Sequence, residues 1–240
     1  MKVANPEGQN WFPLHVLRER EISYGLIERV AAAGLDTLMF TVDTPVAVAR
    51  LRDKRKGYSI PPQLTLGTMV NVIPRPWWWD FLTNSSLQFA SLSSTVGTVG
   101  ELLDSATDPS VNFDDLKIIR AMWPGKFVVK GVQNLEDSKR LAGLCVGVIP
   151  LSNHGGRQLD RAPIPFHLLP DVVREVGNGT EMMVDTGIMN GADIVASIVL
   201  GPKFTGVGRA YLYGLMAPVP ASNRTPVRTT ASPTKTAAKA

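Results

Sequence analysis

The stretch Pro150–Asp160 reads PLSNHGGRQLD and sets one of three histidines between an apolar run and two glycines, with an arginine three residues on. Each residue type suits chemistry on a small anion. Histidine, with a pKa near neutrality, can accept a proton at physiological pH. Arg157 offers a planar fork that grips a carboxylate through two parallel hydrogen bonds. Gly155 and Gly156 let backbone and ligand approach closely. If the apolar run is a strand that continues through the motif, Ser152 and His154, two residues apart, share a face. Taken alone, the segment reads equally well as a glycine turn carrying a surface histidine.

The same placement recurs along the chain. His15 follows WFPL, Thr41 and Asp43 follow DTLMF, Lys130 follows KFVV, Asp185 follows EMMV, and Gly208 and Arg209 follow FTGV. The runs 11–17, 36–43, 126–131, 145–152, 181–185 and 204–208 are expected to be strands. Helices are expected at 22–33, closed by Gly34, at 113–122 after an Asn112 N-cap, and at 135–141, 166–176 and 192–200. Strands alternating with helices make βαβ units on a parallel sheet. No Gly-x-Gly-x-x-Gly follows the first strand, which argues against a dinucleotide-binding sheet. Chemistry gathered at the C-terminal ends of successive strands is instead the habit of a (β/α) barrel.

Residues 44–112 break this rhythm with a segment far longer than an ordinary βα loop. It begins with basic RLRDKRKGYSIPP and contains PRPWWWDFL, with Trp77, Trp78 and Trp79 adjacent. Two readings stay open: a lid packing its aromatics on the barrel rim, or a contact with a membrane interface, where tryptophan and basic flanks are both favoured. The last residues, 217–240, are rich in Pro, Thr, Ala and Ser, carry Arg224, Arg228, Lys235 and Lys239 without an acid, and are expected to be a disordered basic tail. The net charge of the whole chain is +4, so the body, 1–216, is close to neutral. That balance does not suit a nucleic-acid-binding domain. No signal peptide and no membrane span is legible, and a single cysteine suits a reducing compartment. The expected location is cytoplasmic, with peripheral contact at the inner membrane face as the membrane reading's extension.

The string Ser-Asn-His-Gly-Gly-Arg-Gln-Leu-Asp closely resembles the active-site segment of the FMN-dependent α-hydroxy-acid oxidases and dehydrogenases, nearest in wording to actinobacterial L-lactate dehydrogenase-like members. TVDTPVAVARLRDKRKGYSIPP, MWPGKFVVKG, VDTGIMNGADIV and GVGRAYLYGLMA resemble further stretches of that family, so the likeness covers about residues 9–216. It implies a partial (β/α)8 TIM barrel, roughly strands 3 to 8, with the long loop after strand 4. It implies FMN as cofactor and oxidation of a small L-2-hydroxy acid, L-lactate first, to the 2-oxo acid, with a quinone, a cytochrome or oxygen as electron acceptor. A homo-oligomer would be family-like. By the same resemblance His154 is the base, Asp43 stabilises its imidazolium, Arg157 and Arg50 bind the carboxylate, and Lys130 sits by the flavin. Thr41 and Ser152 hydrogen-bond the flavin, and Asp185, Gly187, Gly208 and Arg209 hold its ribityl chain and phosphate.

Departures from the family pattern set up a second expectation. Pro13 and His15 stand where the family has a glutamine for flavin and a tyrosine for substrate, so His15 becomes the substrate-binding candidate. Met189 stands where an arginine often meets the phosphate. The first two barrel strands and the last helix of the family have no counterpart. The alternative reading is an inactive, truncated remnant of this lineage.

Overall fold

The computed structural model describes residues 8–46, 65–75 and 108–216, together with Arg55, Trp79 and Thr83. Six strands alternate with helices among them: β1 (Trp11–Leu14), α1 (Arg20–Ala32), β2 (Thr37–Thr41), α2 (Leu66–Val72), α3 (Phe113–Met122), β3 (Lys126–Lys130), α4 (Leu135–Ala142), β4 (Val148–Leu151), α5 (Pro165–Val176), β5 (Glu181–Val184), α6 (Gly191–Val199), β6 (Phe204–Thr205) and α7 (Arg209–Met216). All six strands are parallel and lie side by side in chain order. Each crossover therefore returns to the neighbouring strand, the progression of a (β/α) barrel and not of a doubly wound sheet.

The central strands β2, β3 and β4 are buried at most positions, which is why they read as short apolar runs. On the outer face Leu14, Leu38, Phe40, Phe127, Val129, Ile149, Leu151, Met182 and Val184 form one core with the inward stripes of the helices: Ile27 and Val30, Leu116 and Ile119, Leu141, and Leu169 with Val172. The other face turns toward a hollow. A flat six-stranded sheet would hold its edge strands roughly 24 Å apart at about 4.8 Å per strand. Here the Trp11 ring of β1 meets the Phe204 ring of β6 edge-on, with centroids 5.7 Å apart. The sheet is therefore curled, part of a (β/α)8 barrel, as the sequence implies.

Local chemistry sets the element ends. Asn112 and Asn190 each close a capping box with the aspartate three residues on, starting α3 and α6. Asn134 caps α4, and Pro165 opens α5 with φ already suited to a helix. Arg20 of α1 pairs with Asp108 and with Asp115 of α3, so the far end of the long segment is tied back to the first helix.

Three expectations change. The strand expected at 11–17 ends at Leu14, so His15 lies beyond it. Pro13 sits within β1, in register with Met39, and β1 is an edge of the sheet among the described residues, where proline is tolerated. The segment RAYLYGLM, read only as a phosphate-binding end, is itself helix α7, and the long segment carries α2. Residues 1–7, 47–54, 56–64, 76–78, 80–82, 84–107 and 217–240 lie outside the described residues, and with them Arg50, Trp77, Trp78 and the expected tail.

Candidate functional site

The C-terminal ends of β2 to β5 converge on Lys130, the last residue of β3. Its ammonium lies 3.1 Å from Asp185 Oδ2 beyond β5 and 3.8 Å from Asp43 Oδ2 beyond β2. It also donates to Ser152 Oγ at the end of β4, at 3.1 Å. One side chain reaches all three strands because the sheet is curled. Asp43 has no side-chain surface in water. A buried carboxylate must be compensated, and it is: by Lys130, by Ser152 Oγ at 3.5 Å, and by His154 Nδ1 at 3.1 Å from Oδ1. Facing an ionised carboxylate, Nδ1 carries the ring proton, and Nε2 is left as the basic nitrogen. Gly131, at φ 102°, is what lets Asp43 sit so close: a Cβ there would lie 2.6 Å from the Asp43 carboxyl carbon.

His154 is not in a strand. β4 stops at Leu151, and His154–Gly156 form a tight turn in which φ is 57°, 67° and 69°. Ser152 and His154 do come together, through the turn: Ser152 Oγ accepts from the His154 backbone N–H at 3.1 Å. Arg157 follows at the end of the turn and is exposed, with no contact to His154 or Asp43 among the described residues. His15, exposed, places Nδ1 2.9 Å from Thr44 Oγ1. Desolvation by its surroundings, then the charge of nearby His154, lower its pKa from the ordinary imidazole value, against a smaller opposing pull from Asp43. Thr41 is buried and stands in register with Lys130.

On the far side, β5 and β6 end at Val184 and Thr205, with Asp185 and Gly206 the first residues beyond them. Gly187 and Gly208 are exposed, and a side chain at either would meet open space. Arg209 is the first residue of α7, and its guanidinium donates to the Gly155 carbonyl at 3.1 Å. Bare backbone amides, a helix start and an arginine together suit a phosphate, so these residues fit a phosphorylated cofactor. Met189, exposed, makes no such contribution.

The sequence reading missed two residues of this constellation. Asn153 is buried and bridges the turn to its surroundings. Thr186 accepts from the Asn153 backbone N–H and donates to Asp185. The signal available was their position, since both are short hydrogen-bonding residues just past strand ends. An apolar cavity of about 670 Å³ lies on the helix side of Asp43, lined by Phe40, Leu116, Val129 and Leu141 among others. Neither His154 nor Lys130 lines it.

The FMN-dependent dehydrogenase family matches residues 1–221. A provisionally named L-lactate dehydrogenase of Mycobacterium tuberculosis is 59% identical over 216 residues, 90% of this chain and 52% of that protein. An L-lactate dehydrogenase of Caulobacter vibrioides is 36% identical over 214 residues, 86% of this chain and 56% of its own. Among solved structures, the monotopic membrane protein (S)-mandelate dehydrogenase superposes with a TM-score of 0.80 at 34% identity, over 87% of this chain and 57% of that one. The chain thus spans about half the length of the curated relatives it matches. A profile match along nearly the whole body, joined to the curled parallel sheet, makes the chain a member of the FMN-dependent dehydrogenase family, whose cofactor is FMN.

Proposed function

We propose that this chain carries the site for FMN-dependent oxidation of a small L-2-hydroxy acid, L-lactate first, to its 2-oxo acid. The observation that carries the proposal is the 3.1 Å contact between His154 Nδ1 and the buried Asp43 carboxylate. It leaves Nε2 as the ring's basic nitrogen, and a carboxylate that stays put stabilises the imidazolium once the ring has taken the substrate hydroxyl proton. Arg157, beside the turn, takes the substrate carboxylate with two parallel hydrogen bonds. Arg50 is proposed for the same task but lies outside the described residues. FMN, when bound, would accept a hydride, the hydrogen of the hydroxyl-bearing carbon together with its two bonding electrons, as the base takes the hydroxyl proton. Lys130 offsets negative charge at the polar ring edge, with Thr41 and Ser152 as hydrogen-bond partners there. Asp185, Gly187, Gly208 and Arg209 hold the ribityl chain and phosphate. His15 meets the substrate in the place the family gives to a tyrosine.

The names of the lactate dehydrogenase relatives support lactate as substrate. The test is the flavin spectrum of the purified protein: anaerobic L-lactate bleaches the visible absorbance. A bound flavin that no 2-hydroxy acid bleaches would refute the proposal. Pro13 and His15 favour a second reading, a protein that keeps the fold and cofactor without turnover. It predicts that unbleached spectrum.

Peripheral membrane contact belongs to the proposal as well. The similar mandelate dehydrogenase is monotopic, and no helix among the described residues is long and apolar enough to cross a bilayer. In the long segment, Leu66 and Val70 of α2 are 88% and 71% exposed, with Ile73 and Trp79 exposed nearby. Apolar and aromatic side chains of this kind partition to an interface. Cosedimentation with anionic phospholipid vesicles is expected, and its absence at low salt would remove this part. A quinone, a cytochrome or oxygen remains the second substrate.

A further inference from the structure

We infer that Asn153 is a positioning residue that holds His154 in its working conformation. The inference rests on the proposed role of His154 as base. Three consecutive residues, His154, Gly155 and Gly156, have left-handed backbones at 57°, 67° and 69°. Glycine adopts this freely. A histidine held there carries a backbone strain that persists only where the surroundings over-determine it, so something must fix the turn.

Asn153 is placed to do so, and its amide orientation is unambiguous. Its Oδ1 accepts from the Gly156 N–H at 3.0 Å, which can only donate, and its Nδ2 donates to the Pro163 carbonyl at 3.3 Å, which can only accept. The first bond closes the turn from within, sharing the Gly156 N–H with the Asn153 backbone carbonyl at 3.0 Å. The second ties the turn to the segment beyond Arg157. The backbone N–H of Asn153 donates to Thr186 Oγ1 at 3.3 Å, and Thr186 donates to Asp185. One buried residue thus joins the turn, the arm that carries Arg157 and the end of β5. Asn153 does not contact the His154 ring; it acts by fixing the backbone on which the ring stands. A ring displaced by 1 Å from its productive place loses about 100-fold in rate.

The test uses the full chain with flavin bound. Asn153→Ala is expected to slow flavin reduction by L-lactate about 100-fold, with the apparent Kd for lactate and the flavin content little changed. A readout independent of turnover is the imidazole NMR spectrum, since the chain has three histidines, His15, His154 and His167. The Nδ1 proton that His154 shares with Asp43 should give a protected signal, assigned by its loss in His154→Gln. In Asn153→Ala that signal should exchange away while those of His15 and His167 stay. Asn153→Ala with the parent rate and the parent His154 signal would overturn the inference. Should Asn153→Ala fail to fold, Asn153→Asp decides, because it keeps the acceptor for Gly156 and replaces the donor to Pro163 with a carboxylate oxygen that repels that carbonyl. About a 10-fold loss with a weakened signal is then expected, and parent-like behaviour overturns the inference. A parent whose bound flavin no hydroxy acid reduces refutes the proposed function instead, and the NMR arm then decides the role of Asn153 on its own.

Discussion

Replacing Lys130 by methionine tests the electrostatic centre of the barrel mouth. The methionine fills much the same space and removes only the ammonium and its donors. Two carboxylates lose their partner: Asp185 at 3.1 Å and Asp43 at 3.8 Å, the latter without side-chain surface in water. At an effective dielectric constant of about 20, the gross attractions are about 5 and about 4 kcal/mol. Desolvation of the lysine offsets part of this, and breaking a buried pair by removing one member costs about 3–5 kcal/mol net, because the remaining charge stays buried. Against a total stability of about 5–15 kcal/mol, the loss is plain in urea unfolding followed by circular dichroism at pH 7. The midpoint falls while the slope m is retained. The decisive variant is Lys130→Met combined with Asp43→Asn. With the orphaned charge gone, the double variant is expected to be more stable than Lys130→Met alone, and the double-mutant cycle to be non-additive. Additive losses, or a Lys130→Met midpoint equal to the parent's, would refute the account of Lys130 as counter-charge.

Other outcomes follow from single features. Asn112→Ala removes the side chain that starts α3 and should cost about 1 kcal/mol in thermal or urea unfolding. Leu169→Ala, fully buried between α5 and the sheet, should cost about 2–5 kcal/mol. His15 has a lowered pKa in the folded chain, so the unfolded chain binds its proton first. Its contribution is whole above the unfolded value, about 6.5, and is lost as pH falls from there toward the folded value. His15→Gln should flatten that part of the pH–stability curve, and an unchanged slope between pH 7 and pH 5 would contradict the assignment. Arg157→Lys keeps charge but not the fork. It should raise the KM for lactate while flavin binding stays intact, and unchanged kinetics would remove Arg157 from the carboxylate site.

The strand order and the residues at strand ends were legible because both rest on short-range patterns. A short apolar run followed at once, or within three residues, by a polar one marks a parallel strand and its open end, and Asp43, Lys130, Ser152 and Asp185 all follow that rule. Asn112 announced α3 by capping chemistry alone. The turn at His154 was not legible: a histidine with positive φ has no sequence signature, and alternation along an imagined strand reached the right proximity to Ser152 by the wrong route. Asn153 escaped for the same reason, since its work depends on Pro163 and Thr186, which only tertiary structure brings near. Helix α7 was passed over because RAYLYGLM was read as part of the phosphate-binding end. The disposition of Arg209 toward the Gly155 carbonyl likewise depends on the curl and not on local sequence.

The ring contact between Trp11 and Phe204 has a kinetic corollary. It joins the first described strand to the last, so it can form only after almost the entire body has emerged and collapsed. Contacts of such long sequence separation are made late and slow the chain's search. Indole emission is sensitive to the approach of a neighbouring ring, so Trp11 is a built-in optical clock for barrel curling. In stopped-flow refolding of a variant whose other four tryptophans are replaced by phenylalanine, its signal should lag behind the helical ellipticity, which reports local order acquired earlier.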